Sequence, residues 1–254
     1  IEAANVPESM VYVPEGEYIS GAPGWVPYPD VWPETKVYLD PFYIDKYEVT
    51  NRQYQDFIFS HPDWDKNYSI KDRTNLAGLD GPDHPAVFIS WFAANAYCEA
   101  REKRLPTSWQ WEKAARGTDG RIYPWGNKME SNRANTCDKS CRLYWRDSNF
   151  NDGFSSTSPV GSFIKGISPY GAFDMTGNVL EWVLDWRDRT DDYYKQLPKK
   201  NPTGPAEGER KSQKGGSWLH TDLRGGIKSY EYYSQHPRKA LNYVGFRCAA
   251  DVKK

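Results

Sequence analysis

YGAFDMTGNVLEWVLDW, Tyr170–Trp186, is the stretch around which the rest of the chain is organised. It places a turn signal (Gly171), an acidic residue (Asp174), a Gly-Asn pair (Gly177, Asn178) and Glu181 in quick succession, then runs into Trp182 and Trp186. Two readings stay open on spacing alone. A carboxylate, exposed carbonyls around Gly-Asn and a second carboxylate are how a loop wraps a hard cation in oxygen ligands. A polar turn leading into a buried strand uses the same residues.

Working outward, bulk composition narrows the choices. The chain has 254 residues, with 33 Lys+Arg against 34 Asp+Glu, so no global charge favours nucleic acid or an acidic membrane. Its 11 Trp, 18 Tyr, 20 Gly and 18 Pro imply many turns, little long helix and an aromatic core. No apolar run reaches the roughly 18 residues of a membrane span. The first residue is Ile1 rather than Met, which a removed signal peptide or a trimmed chain would explain. The four cysteines, Cys98, Cys137, Cys141 and Cys248, suit either disulfides in an exported protein or reduced, buried thiols.

Upstream, Met10–Gly21 alternates apolar and polar residues across a Pro-Glu-Gly turn and reads as a hairpin or a pair of short strands. Val37–Tyr43 is another short extended run, broken at Pro41. Glu48–Phe59 reads as a first helix with Thr50 or Asn51 as N-cap and Tyr54, Phe57 and Ile58 on one face. Ser90 caps a second helix, Trp91–Arg101, with Phe92, Ala96 and Cys98 toward the core. Thr107 caps a third, which stops at Gly117. Asn67-Tyr68-Ser69 is a glycosylation sequon. Tyr123–Asn127 is a rigid aromatic turn. Beyond residue 128 come turns and short strands, with Gly215–Trp218 opening one strand and Asn242–Ala249 forming the last. Helices early and short strands late give an α+β fold with much irregular structure, and no linker or repeat divides it, so residues 1–254 form a single domain with its core at about 10–251.

The succession MVYVPEGEYISG, FYIDKYEVTNRQYQDF, HPAVFISWFAANAYCEAREKRLPTSWQWEKAARG, YPWGN, DMTGNVLEW, KGGSW and VGFRCAAD, spanning Met10–Asp251, resembles the formylglycine-generating enzyme (sulfatase-modifying factor) family. The resemblance implies a variant of the C-type lectin fold. It implies structural calcium at two sets of oxygen donors. One is Asp174 and Glu181 with the carbonyls of Gly177 and Val179. The other is Asn135 and Asp152 with the carbonyls of Thr136 and Phe154. It also implies a Cys98–Cys248 disulfide and hence an extracytoplasmic home, periplasmic or secreted. Cys137 and Cys141, in CDKSC, have no family counterpart, and a local disulfide or half of a metal site would each use them.

What the resemblance shows to be missing bears most on function. Family oxidases hold copper with two cysteines after the Gly-Gly-Ser strand, but here the first position is His220 and the second Gly225. Two thiolates hold Cu(I) linearly, whereas one imidazole and a glycine do not, so no copper is expected. Ala115 and Tyr230 stand at the positions of a further family disulfide, and Leu180 replaces a Trp, while Ser217 is kept. The leading expectation is a non-catalytic binding, accessory or structural subunit whose partner is another protein. Its candidate contacts are Trp25, Tyr28, Trp32, Tyr144, Trp145, Tyr230, Tyr232 and Tyr233, about half of them core. The alternative is an unconventional oxidoreductase or maturation enzyme of the siderophore-maturation type, rebuilt around His220 and Ser217 with Asp222 and Arg224 close in sequence. His61, His84 and His236 read as structural. A calcium-dependent sugar binder lacks a separate Glu-Pro-Asn motif.

Overall fold

A computed structural model describes residues 6–24, 26, 32–62, 78–187, 193 and 196–253. The sequon at 67–69, Trp25 and Tyr28 lie outside them. Nine short strands and three α-helices are described: β1 (Met10–Val13), β2 (Gly16–Ser20), β3 (Thr35–Leu39), β4 (Phe42–Asp45), α1 (Asn51–Ser60), α2 (Trp91–Glu99), α3 (Ser108–Arg116), β5 (Leu180–Trp186), β6 (Lys211–Lys214), β7 (Tyr232–Gln235), β8 (Val244–Phe246) and β9 (Ala249–Asp251). Among the described residues no helix is long and apolar enough to cross a membrane. The architecture is α+β, as expected.

The helices begin where local chemistry says they should. Thr50 and Thr107 each accept a hydrogen bond from the N3 amide, and the Gln53 and Gln110 side-chain oxygens accept one from the cap residue's own N–H, giving two reciprocal capping boxes. Ser90 caps α2 through Ala93 N–H. On α2 the buried face is Ala93, Ala94, Ala96, Tyr97 and Cys98, while Phe92 is only half-buried, in edge contact with Trp91 and under Arg238. The small side chains are what let this helix lie close to β5.

The strands form three sheets. β1, β4 and β9 are antiparallel, with β4 in the middle. β2 pairs with β3, so the Pro-Glu-Gly turn joins strands of two sheets and closes no hairpin. The third sheet runs β7-β6-β5-β8, with β5 and β8 parallel. β6 ends at Lys214, so the strand precedes Gly215-Gly216 rather than following it, and the glycines turn the chain at positive φ. The expected single strand at Asn242–Ala249 is two, β8 and β9, because Arg247 turns inward to Glu181 and Cys248 bonds to Cys98.

β5 explains the apolar run of the opening stretch. Its two faces serve two cores. Val183 packs with α3 (Trp109, Trp111, Ala114, Ala115) and strands β1–β4, whereas Leu180 and Trp182 pack with α1, α2, Val244 and Phe246. A strand buried on both sides has no reason to alternate polar and apolar residues. Leu180, where a Trp was expected from the resemblance, is thus core.

Candidate functional site

The Asp174–Glu181 loop is held by backbone conformations that few residues adopt. Asp174 and Asn178 have φ of 56° and 54°, a region Asp and Asn tolerate, and Gly177 has φ of 80°. A Cβ on Gly177 would come within 2.1 Å of the Asn135 carbonyl oxygen, so only glycine lets the two segments cross. The Asn178 amide donates to that carbonyl at 2.8 Å, coupling the two implied donor sets through backbone.

Around this crossing lie three buried carboxylates, Glu48, Asp174 and Glu181, and one guanidinium, Arg247. Arg247 donates to both Glu181 oxygens at 2.7 Å, and Trp111 Nε1–H donates to Oε2 at 2.8 Å. Asp174 accepts from Gly161 N–H at 2.6 Å. Glu48 accepts from Asn178 Nδ2 at 2.6 Å and Val179 N–H at 3.2 Å. Burial, then its neighbours Asp174 and Glu181, pushes Glu48 well above the usual carboxylate range, and burial also raises Asp174. Negative charge exceeds positive here, which suits a cation, but the Glu181 oxygens are already engaged by Arg247 and Trp111.

In the second donor set the structure joins Asp152 to the backbone of Thr136 and Phe154. Asp152 accepts from Thr136 N–H and Phe154 N–H, each at 2.8 Å, and its own N–H donates to Asp138. Asn135 is buried, its Nδ2 donates to Ser156 O at 2.8 Å, and its Oδ1 is left with no hydrogen-bond partner. Burial, helped by Asp138, drives Asp152 up to about 7. A buried orphan oxygen and, across the Thr136 amide, a buried carboxylate short of positive charge are groups a hard cation relieves. The donors therefore fit calcium: Asn135 and Asp152 would hold it with the Thr136 and Phe154 carbonyls, and it would supply loop rigidity. Among the described residues no three His, Cys, Asp or Glu side chains converge on a metal, so any ion depends on carbonyl and amide oxygens.

Both cysteine pairs are disulfides, Cys98–Cys248 and Cys137–Cys141, and no cysteine is free. The second disulfide removes CDKSC as a metal half-site. It sits directly against the His220 loop, where Cys137 N–H donates to His220 O at 2.8 Å and Trp145 Nε1–H to Leu219 O at 2.9 Å.

Ser217 Oγ and His220 Nδ1 lie 2.7 Å apart. Ser217 is 0% exposed, whereas His220 is partly exposed. Burial pushes the His220 imidazole down to about 4, and a base that weak removes few protons at neutral pH. Its ring packs on Tyr233 at 4.8 Å and Tyr243 at 6.1 Å. A Cβ on Gly226 would strike the Tyr233 hydroxyl at 2.0 Å, so space beside the imidazole is filled. Asp222 and Arg224 are not brought to His220: Asp222 bonds to Tyr123 and, at 3.0 Å, to Lys228, and Arg224 lies over the Tyr144 ring. A cavity of about 850 Å³ lies elsewhere, lined by Tyr12, Leu39, Tyr43, Arg104, Leu184 and Val252 among others.

Of the aromatic candidates, Tyr230 is core and lies under Arg116. Trp32 and Tyr232 stack at 5.7 Å with Arg187 over both. Tyr144 is 83% exposed. His84 bonds to Thr157 at 2.9 Å and His61 to Phe57 O at 3.1 Å; His236 accepts from Arg238 N–H at 3.3 Å. Sequence reasoning missed Glu48 and Arg247. Each sits in a motif, but only tertiary contact shows that both point inward.

Comparison with known proteins gives a consistent result. The sequence profile of the sulfatase-modifying factor enzyme 1-like domain matches residues 2–252. The chain is 30% identical to the formylglycine-generating enzyme of Thermomonospora curvata, over 97% of this chain and 95% of that one. It is 27% identical to the inactive C-alpha-formylglycine-generating enzyme 2 of Mus musculus, over 96% and 86%. In fold it is similar to PvdO from Pseudomonas aeruginosa, with a TM-score of 0.77 at 23% identity over 96% and 94% of the two chains. By the extent of the profile match and of the similarity to the Thermomonospora curvata enzyme, the chain belongs to the sulfatase-modifying factor enzyme 1-like family.

Proposed function

We propose that this protein is a non-catalytic binding or accessory subunit of a larger protein assembly, built on the formylglycine-generating-enzyme frame and without cysteine-to-formylglycine oxidase activity. The observation that carries this is the state of the cysteines. All four are tied in disulfides, and the positions the resemblance assigns to the copper pair are His220 and Gly225. Those residues do not fit a two-thiolate copper site. The neutral, aromatic-packed imidazole and the buried Ser217 offer no replacement nucleophile or base. Two disulfides support an extracytoplasmic location, periplasmic or secreted. Calcium is proposed as a structural ion, at Asn135, Thr136, Asp152 and Phe154 before Asp174, Gly177, Val179 and Glu181, since Glu181 is already paired with Arg247.

The test is elemental analysis of protein purified without chelator or affinity metal, alongside aerobic assay of a cysteine-containing peptide with added copper. The expected result is calcium at about one to two per chain and no peptide oxidation. A second reading, an oxidoreductase or maturation enzyme rebuilt around His220, has the Ser217–His220 hydrogen bond in its favour. Stoichiometric copper or iron that disappears in His220→Ala would establish it and overturn the first.

A further inference from the structure

Beside the His220 loop lies a surface that neither calcium nor the disulfides account for. Residues 141–146 read CRLYWR, and the turn Asp222–Arg224 lies against them. Tyr144 is 83% exposed and Leu223 67%, two of the few large apolar side chains the protein turns outward. Arg142, Arg146, Arg224 and the nearby Lys139 are exposed as well. Among the described residues none of these four has a carboxylate partner. Other exposed cations are in part matched, as in Arg52–Asp83 at 3.1 Å and Lys200–Asp40 at 3.3 Å, but nowhere on this loop.

The imbalance has a structural cause. The acidic residues of this segment are turned inward to build its turns. Asp138 accepts from Ser140 N–H at 2.8 Å, and Asp147 accepts from Asn149 N–H at 3.0 Å; both are buried. The loop therefore presents its positive charge and hides its negative charge. The platform is also stiff. The Cys137–Cys141 disulfide and the Asp147 N–H bond to Cys137 O at 2.9 Å close it, and the Trp145 indole is fixed to Leu219 O with its ring in edge contact with Tyr144 at 4.9 Å. A preformed aromatic and arginine surface loses little entropy on binding.

We infer that this face docks an acidic segment of a partner protein, with an apolar side chain seated against Tyr144 and Leu223 and carboxylates on Arg142, Arg146 and Arg224. The inference rests on the accessory reading and names the chemistry of the partner. An exposed aliphatic side chain such as Leu223 gains by burial against another apolar group and offers nothing to sugar hydroxyls, which favours protein over an anionic polysaccharide.

The experiment is selection of a random-peptide phage library on the immobilised full chain, followed by fluorescence anisotropy of the selected peptide, synthesised and labelled, with heparin and anionic vesicles as parallel probes. Selected peptides are expected to carry net negative charge and an aromatic or aliphatic residue. Arg142→Glu/Arg224→Glu should weaken binding by about tenfold or more, Tyr144→Ala by several-fold, and added salt should weaken it further. Phe59→Ala, on the exposed face of α1, should bind as the unaltered protein does. These side chains are at the surface, so unchanged thermal unfolding of the variants checks that only the face was altered. Peptides without acidic bias, binding that ignores the charge reversal, or binding to heparin or vesicles alone would each overturn the inference. Peptide binding that survives the charge reversal would leave the accessory reading standing with a different face. His220-dependent metal in the elemental analysis is the outcome that would remove the accessory reading itself.

Discussion

At Arg247 a single side chain holds the ends of several segments. It donates to both oxygens of Glu181, to Asp45 O at 3.2 Å and to Phe173 O at 2.9 Å, with neither member of the ion pair exposed. Removing one charge of such a pair leaves the other buried and uncompensated, so Arg247→Met is expected to cost about 3–5 kcal/mol, measured by denaturant unfolding. His220 carries a pH signature of the opposite kind. Its folded imidazole titrates at about 4 against an ordinary 6.5. Above the ordinary value both folded and unfolded states are neutral there. As pH falls from about 6.5 to about 4 the unfolded chain takes up a proton that the folded one refuses, so stability is lost by up to about 3 kcal/mol. The stability gap between the protein and His220→Asn should narrow over that window, and an imidazole NMR resonance that titrates near the ordinary value would sink the assignment. The position of His220 was legible in the sequence as the residue after GGSWL. Its neutrality was not, because Tyr233 and Tyr243 arrive from later segments.

At the scale of elements, what could be read depended on how local the signal was. The caps at Thr50, Ser90 and Thr107 and the stop at Gly117 are contained within a few residues, and they fall where sequence placed them. Thr107→Ala should cost about 1 kcal/mol through loss of its cap. Strand partners are non-local. Nothing near Met10 tells that β1 pairs with β4 rather than β2, and nothing near Val244 tells that β8 lies parallel to β5. The implied metal sets differ in the same way: Asp152 accepts from the amide next to Asn135, a neighbour in sequence, while the arginine that occupies Glu181 was visible only in three dimensions. The two disulfides also differ by span. Cys98–Cys248 bridges a separation of 150 residues and Cys137–Cys141 one of 4, so chain entropy alone assigns them about 5 and about 2 kcal/mol. Thermal unfolding of Cys98→Ala/Cys248→Ala should show much the larger loss.

For the whole molecule, the proposed calcium ion is the variable that would join these parts. An ion at the Asn135–Asp152 set, present at about a hundred times its dissociation constant, would add about 2.7 kcal/mol of stability. Chelation is therefore expected to lower the melting temperature, and Asp152→Asn to abolish that response. A melting temperature indifferent to chelator would remove the ion from the account. The Arg142–Arg224 face lies on the same loop system, since Asp138 both shapes the CDKSC turn and accepts from the Asp152 amide. Calcium depletion should weaken any partner bound at that face as well as the fold.

The order in which the sheets close has a consequence for how the protein is made. β4 lies near residue 45 but pairs with β9 at Ala249–Asp251, β5 pairs with β8 at Val244–Phe246, and Cys98 waits for Cys248. A ribosome has emitted nearly all of this chain before either of the two larger sheets can be completed. Until Asp251 emerges, the growing polypeptide carries an open strand edge and an unpartnered thiol. A chain interrupted before Val244 would keep its β1–β4 and β2–β3 ladders but lack the third strand and the disulfide that close its first half.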